Sequence, residues 1–246
     1  MNAILERLAG DGSLGVAEIA SELGVSEATI RRDLRRLAEQ RLLSRTHGGA
    51  VPHGVLYELP LRYRAARHHD EKARIARAAA ALIGDAASVG LTGGTTTTEV
   101  ARELSDRPRL TVVTNALNIA SDLVVRPNIK LVVIGGVARS ESYELVGPLA
   151  EATLAGLNLD VAVIGADGVD VAAGLTTHHE VEAQTNRALI ERARRVIVVA
   201  DSSKIGQAAF ARICALSAIH ELVTDAGADP AAVAELRATG ITVHVV

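Results

Sequence analysis

The chain has 246 residues, 48% hydrophobic and 22% charged, enough for a sizeable core in one large domain or one and a half. Tyr57, Tyr63, Tyr143 and Phe210 are its only four rings, which argues against functions built on ring faces, such as base-stacking single-strand binding and aromatic cation cages. The net charge of -3 is uneven: residues 1–77 carry 13 Lys+Arg and 10 Asp+Glu, net +3, and the remainder carries 13 and 19, net -6, so an acidic bulk hides a basic front end.

The first fifty residues read as three short helices and a hairpin. Ile4, Leu5 and Leu8 recur at helical spacing before Asp11-Gly12 breaks the run. Val16 to Leu23 forms a second helix, with Ile19, Ala20 and Leu23 on one face and Gly24 as its stop. Ser26 is the expected N-cap of a third helix, Glu27 to Gln40, whose buried stripe is Ile30, Leu34 and Leu37. Leu42 to Arg45, Thr46-His47-Gly48-Gly49 and Ala50-Val51 then read as strand, tight turn, strand. The layout is a winged helix-turn-helix over residues 1–53.

Residues 54–70, Arg- and His-rich and without periodicity, are expected to be a linker. Over 71–246 short aliphatic runs alternate with amphipathic segments such as 70–83 and 180–194. The runs are Ser88–Leu91, Leu110–Val113, Leu131–Ile134, Val161–Ile164, Val196–Val199, Leu222-Val223 and Thr242–Val246. Continuous apolar strands separated by helices predict a mostly parallel sheet covered on both faces, so the fold class is α/β, a winged helix joined to a Rossmann-like domain. The single Cys214 allows no internal disulfide and fits a reducing compartment; no zinc-finger spacing, leader or apolar span is visible, and a cytoplasmic protein without metal or cofactor is expected.

On the third helix a 100° step puts Ala28, Arg32, Arg35, Arg36 and Glu39 opposite the apolar stripe, with Arg31 flanking. Such a face is either an ordinary charged surface, with Glu27, Asp33 and Glu39 pairing at i,i+4, or a recognition helix entering the major groove N-terminus first. The preceding short helix, the Ser26 cap and the basic hairpin favour the second reading. In that frame Ser26, Glu27, Ala28, Thr29, Arg31 and Arg32 stand nearest the groove, Arg35, Arg36 and Arg45 nearer phosphates, and His47 and Gly48 at the wing tip approach the backbone.

After Leu91 comes Thr92-Gly93-Gly94-Thr95-Thr96-Thr97-Thr98, followed by a helix expected from Glu99. A strand, a Gly-rich turn and a hydroxyl-rich helix start form either an anion site or simply a polar turn with capping threonines. Further polar islands follow other apolar runs, where open parallel sheets gather ligands: Thr114-Asn115, Gly135-Gly136, Gly165-Ala166-Asp167-Gly168 and Asp201-Ser202-Ser203-Lys204. Together they suit a phosphorylated polyol, with Gly93, Gly94, Thr95, Thr96 and Thr97 cradling phosphate, Lys204 supplying charge, Asn115 and Asp167 meeting hydroxyls, and Gly135, Gly136 and Gly168 lining the mouth. Lys204 as a solvated loop lysine is the alternative. Lys130 merely precedes a strand and Lys72 opens a helix. The adjacent pairs His68-His69 and His178-His179 point different ways and make no metal site; whether His178 or His179 reaches the ligand stays open.

Ser26-Glu27-Ala28-Thr29-Ile30-Arg31-Arg32-Asp33-Leu34 with Arg45-Thr46-His47-Gly48-Gly49-Ala50 resembles the signature of DeoR-type bacterial transcriptional regulators. Arg41 stands where that family usually has Gly. The resemblance continues through Lys72, Gly94-Thr95-Thr96, Thr114-Asn115, Gly135-Gly136, Val146-Gly147-Pro148, Gly165-Ala166-Asp167-Gly168, Gly174-Leu175-Thr176, Asp201-Ser202-Ser203-Lys204 and Thr224-Asp225. It implies a sensor domain similar in fold to ribose-5-phosphate isomerase, a repressor of a sugar or polyol operon, and a phosphosugar effector. A single recognition helix reads few base pairs, so a homo-oligomer, dimer or tetramer, on repeated half-sites of operator DNA is expected. The rival is a sugar-phosphate isomerase or acyl transferase with a regulatory head. Against it, Ile164 and Gly168 stand where the isomerases carry acids, so no acid/base pair is assembled. A nucleotide-binding switch is a third, weaker alternative.

Overall fold

The computed structural model describes residues 2–40, 42–52, 61–65, 67–85 and 87–246. Arg41, Tyr57 and the 54–60 part of the expected linker lie outside them. The chain divides into two compact units, 1–64 and 65–246.

In the first unit α1 (Asn2–Asp11), α2 (Val16–Leu23) and α3 (Glu27–Glu39) enclose a core of Ile4, Leu5, Leu8, Ile19, Ile30, Leu34 and Leu37. Gly24 ends α2 in the left-handed region (φ 64°), and the Ser26 hydroxyl accepts from Thr29 N–H at 3.2 Å, so both punctuation residues act as their types predict. The wing is larger than a hairpin. Leu14–Gly15 forms a strand, β1, which with β2 (Ser44–Arg45) and β3 (Gly49–Val51) makes an antiparallel sheet in the order β1-β3-β2. Gly49 therefore belongs to the strand, not the turn: a Cβ there would overlap the Leu14 carbonyl, whose carbon would lie 2.7 Å away. A two-residue strand leaves too little periodicity to read in advance.

Two boundaries differ from expectation at the junction. Leu61–Arg64 is a short helix, α4, in place of linker, and Tyr63 packs on the first unit's core and donates its hydroxyl to Gln40 Oε1 at 2.9 Å. α5 (His69–Ala81) begins at His69. Lys72, far from merely opening that helix, is buried, its ammonium donating to the Arg67 carbonyl.

The second unit is built on β4 (Ser88–Leu91), β5 (Leu110–Thr114), β6 (Ile129–Val133), β9 (Leu159–Gly165), β12 (Ala193–Val199), β14 (Glu221–Thr224) and β15 (Thr242–Val245). All pair in parallel in the order β15-β14-β12-β9-β4-β5-β6. Alternate side chains of the apolar runs feed two cores. Val161, Val163, Ile197 and Val199 pack with α5, α6 (Thr95–Leu104) and α7 (Leu117–Leu123). Ala162, Ile164, Val196 and Val198 pack with α8 (Pro148–Ala155), α9 (Glu180–Ile190) and α10 (Pro230–Ala238). The helix expected over 180–194 stops at Ile190, because Ala193 and Arg195 pair with Leu159 and Val161. Also beyond the expectation are a hairpin, β7 (Val137–Ala138) and β8 (Leu145–Val146), and a small antiparallel sheet of β10 (Gly168–Asp170), β11 (Gly174–Thr177) and β13 (Ala211–Cys214). Chain direction places the active feature of such folds: β4, β5 and β6 run outward to one side, and β9 returns to the other side of β4, so the strand order reverses between β4 and β9.

Candidate functional site

The recognition face is built by α3. Its buried stripe of Ile30, Leu34 and Leu37 fixes the helix's rotation, leaving Ser26, Glu27, Ala28, Arg31, Arg32, Arg35 and Arg36 exposed. Arg31 is held by Glu27 at 2.8 Å, the i,i+4 pair that an ordinary charged surface would form. Arg32, Arg35, Arg36 and Arg45 have no ion pair among the described residues. Thr29 is half-buried and its hydroxyl lies 2.9 Å from that of Ser26, so the two make the cap rather than a free recognition surface. His47 and Gly48 are exposed at the wing, where the Gly48 carbonyl accepts from Val16 N–H at 2.9 Å.

In the second unit the strand-order reversal coincides with the glycine and threonine turn. Gly94, at φ 123°, caps α6, which starts at Thr95, four residues earlier than expected. Thr95 to Thr97 thus supply first-turn N–H groups that have no intrahelical acceptor, and Thr98 N–H is the first to close on Gly94 at 3.1 Å. The hydroxyls divide. Those of Thr97 and Thr98 donate to the Gly94 carbonyl at 3.0 and 2.7 Å, so Thr97 contributes backbone and not the free hydroxyl expected of it. β9 closes the other side: Thr92 Oγ1 accepts from Gly165 N–H at 3.0 Å, and the Gly93 carbonyl lies against Gly165.

Asn115 follows β5 beside this turn. It is fully buried, and neither its amide nitrogen nor its amide oxygen has a hydrogen-bond partner among the described residues. Such a group costs about 1–3 kcal/mol unless something completes it. Asp167 follows β9 and accepts from the Thr177 hydroxyl at 2.9 Å; Thr177 also approaches Glu182, to which Arg139 is ion-paired. Lys204 ends a short turn after β12, half-exposed and without an ion pair among the described residues. The turn itself is braced by Asp225. Burial works against ionisation there, yet donation from Ser202 and Gly227 N–H outweighs it and holds the carboxyl below the ordinary aspartate range.

Other candidates have structural work. A Cβ on Gly136 would come within 2.8 Å of Val146 backbone, and one on Gly168 within 2.6 Å of the Thr176 hydroxyl, so both glycines admit close-packed backbone; Gly135 is exposed at the end of edge strand β6. His179 caps α9 through Nδ1, which accepts from Val181 N–H at 3.3 Å. Burial pushes the Cys214 thiol up to about 11, which keeps it unreactive. Arg139, Glu144 and Glu182 were not legible in the sequence: the β7–β8 hairpin and the start of α9 bring them in, and no local motif marks them. Among the described residues no cluster is arranged to hold a metal, and no helix is long and apolar enough to cross a membrane.

A winged helix whose third helix presents Arg32, Arg35 and Arg36 without ion pairs among the described residues, in one chain with a parallel sheet that carries a buried amide without a partner beside its strand-order reversal, has the make-up of a two-unit DNA-binding regulator with a sensor-like second unit. Residues 1–53 match the DeoR-like helix-turn-helix domain and residues 67–226 the DeoR C terminal sensor domain. The chain belongs to the DeoR family of transcriptional regulators. It is 35% identical over 241 residues to the HTH-type transcriptional regulator GlpR of Haloferax volcanii, covering 98% of this chain and 94% of that one. It is likewise 35% identical over 225 residues to the glycerol-3-phosphate regulon repressor of Escherichia coli K12, covering 92% and 89%. The rival reading as an enzyme gives way to this kinship with regulators that carry the same DNA-binding domain. Among solved structures, ribose 5-phosphate isomerase A of Methanocaldococcus jannaschii is similar at 22% identity and a TM-score of 0.42, over 56% of this chain and 54% of that one.

Proposed function

We propose that the chain represses an operon of sugar or polyol metabolism in the cytoplasm, binding duplex operator DNA as a homo-oligomer through α3 and the wing, and that a phosphorylated sugar or polyol relieves repression. The observation that carries this is the pairing, in one chain, of a helix face whose Arg32, Arg35 and Arg36 have no ion pair among the described residues with a glycine–threonine helix start at the β4/β9 reversal, next to which, at the end of β5, the buried Asn115 amide has no hydrogen-bond partner among the described residues. Arg32 stands nearest base edges, with Arg35, Arg36 and Arg45 toward phosphates. In the second unit the N–H groups of Thr95, Thr96 and Thr97, the hydroxyls of Thr95 and Thr96, and Lys204 take the phosphate, while Asn115 and Asp167 take hydroxyls. The repressor name of the Escherichia coli relative supports the direction of control, and its glycerol-3-phosphate regulon supports a small phosphorylated polyol.

Control requires that the effector prefer the arrangement in which two DNA heads are misplaced for their half-sites, since a ligand with equal affinity for both arrangements shifts nothing. The test has two stages. Operator sequences are selected from a random duplex library with the full chain, and the selected DNA is then titrated in the presence of sugar phosphates. Enrichment of a repeated half-site, with affinity lowered by a sugar or polyol phosphate and not by nucleotides, is the expected result. Affinity that no such phosphate alters would overturn the effector class.

A further inference from the structure

The parallel sheet ends in two edge strands, β15 and β6, and their outward backbone groups differ in what meets them. At β15 the N–H groups of Thr242 and Val246 donate toward β14, to the His220 carbonyl at 3.1 Å and the Thr224 carbonyl at 2.9 Å, so Val243 between them faces outward. Its carbonyl is taken by the Arg237 guanidinium of α10 at 3.0 Å. At β6 the Ile134 N–H donates to the Thr114 carbonyl at 3.0 Å, and the alternation of a parallel ladder then turns Lys130 and Val132 toward β5 and Leu131 and Val133 outward. Among the described residues nothing bonds those outward N–H and carbonyl groups of Leu131 and Val133.

An open edge is a template for another strand, and this one has exposed apolar side chains at both ends. Val124 and Val125, before its start, are 68% and 74% exposed; Val133 at its end and Val137 just beyond are 43% and 69% exposed. Leu131, at its middle, is half-buried and packs on the same core as Ile129. A two-fold axis through Leu131 makes this arrangement self-complementary. Leu131 meets its own copy, Ile129 meets Val133, and the valines at the start of one β6 come to the end of the other. Lys130 then stands opposite Val132, so the strand's one charge does not face itself directly. Joining β6 head-to-tail to β15 would instead grow without end, and Arg237 already occupies that edge.

We propose that β6 pairs antiparallel with β6 of a second copy of this chain, so that two sheets become one across a two-fold axis. Each Leu131 N–H donates to the other copy's Leu131 carbonyl, and each Val133 N–H to the other copy's Ile129 carbonyl. Ile129 keeps its own N–H on the Arg126 carbonyl at 3.2 Å, which ends the ladder there. The assignment rests on the homo-oligomeric reading given above and supplies its surface.

The test is sedimentation of the full chain over a range of concentrations, alone and on the selected operator. Leu131→Lys and Leu131→Glu each set a charge against its own copy. Each alone is expected to halve the mass of the assembly and to weaken association about tenfold or more, while an equimolar mixture restores the wild-type mass because opposite charges then meet. Val133→Pro is the milder variant, since that residue is exposed and its N–H faces away from β5; it should leave the β5 ladder intact and weaken association about tenfold. Circular dichroism verifies folding, and where a charge at Leu131 prevents it, Val133→Pro decides by mass alone. Folded variants that keep the wild-type mass would overturn the β6 pairing and leave the homo-oligomer standing. Dissociation that mixing does not reverse would overturn the two-fold register and assign the edge to a different segment. A wild-type chain that sediments as a single copy, free and on the operator, would remove the homo-oligomer and the pairing together.

Discussion

Arg31 and Arg32 are adjacent, identical in chemistry and both exposed, yet they stand in different states. Arg31 is held by Glu27 at 2.8 Å, so a base edge recruiting it must first compete with a carboxylate one turn back. Arg32 has no such partner among the described residues, and its planar fork is available for a guanine edge. Arg32→Ala should therefore weaken binding to the selected operator by about 1–3 kcal/mol and flatten the preference at one base pair of each half-site. A competition assay with singly substituted operators checks both effects. Equal losses on all of them would place Arg32 on the phosphate backbone instead. The lysines teach a similar lesson: Lys72, which a linear reading sets aside as a helix opener, is the buried one, whereas Lys204 is half-exposed in the turn after β12.

At the level of elements, the inner parallel strands were legible because each carries a continuous aliphatic run buried on both faces, the α2 stop because Gly24 takes a left-handed conformation, and the α3 cap because the Ser26 side chain supplies an acceptor. The two-residue strands β1, β7 and β8 were not, since they carry no period of their own and are defined only by their pairing. The candidate site divides along the same line. Its glycine turn, Asn115 and Lys204 follow strands that the pattern reveals, while Glu144, Arg139 and Glu182 arrive on the hairpin and on α9. The far edge of the sheet shows an electrostatic counterpart. Glu221, at the start of β14, is bonded by Arg195 from β12 and lies 2.8 Å from His244 Nε2 on β15. Burial opposes its ionisation, but the bonds from His244 and Arg195 prevail and lower its pKa from the ordinary 4.5. A lowered carboxylate stabilises the fold above that ordinary value, and the contribution is lost as pH falls through the folded one. Urea unfolding of wild type and Glu221→Gln should thus differ at pH 7 and converge as pH drops below the ordinary glutamate range. A difference that persists unchanged in acid would show the cluster to act through packing.

For the whole molecule, the charge division makes operator binding a problem of local against global electrostatics. Net charge is -3, but the surface proposed to meet DNA holds Arg32, Arg35, Arg36 and Arg45 without ion pairs among the described residues, and charges within a Debye length of about 8 Å of the phosphates at physiological salt count for most. Binding should therefore be tight at low salt and fall steeply with it, log K decreasing by about 0.9 per phosphate neutralised for each decade of salt. This slope also counts subunits. Arg36 is assigned to phosphate and not to bases, so Arg36→Ala should weaken all operators alike, and each lost contact should lower the slope by about 1. If two heads engage one operator, a single substitution in the gene removes two contacts, and the slope should drop by about 2. The measurement is a salt titration of the full chain on the selected operator, in parallel with sedimentation of the complex. A drop of about 1 on an operator that carries one complex of one chain would overturn the dimeric reading, and an unchanged slope would remove Arg36 from the phosphate contacts.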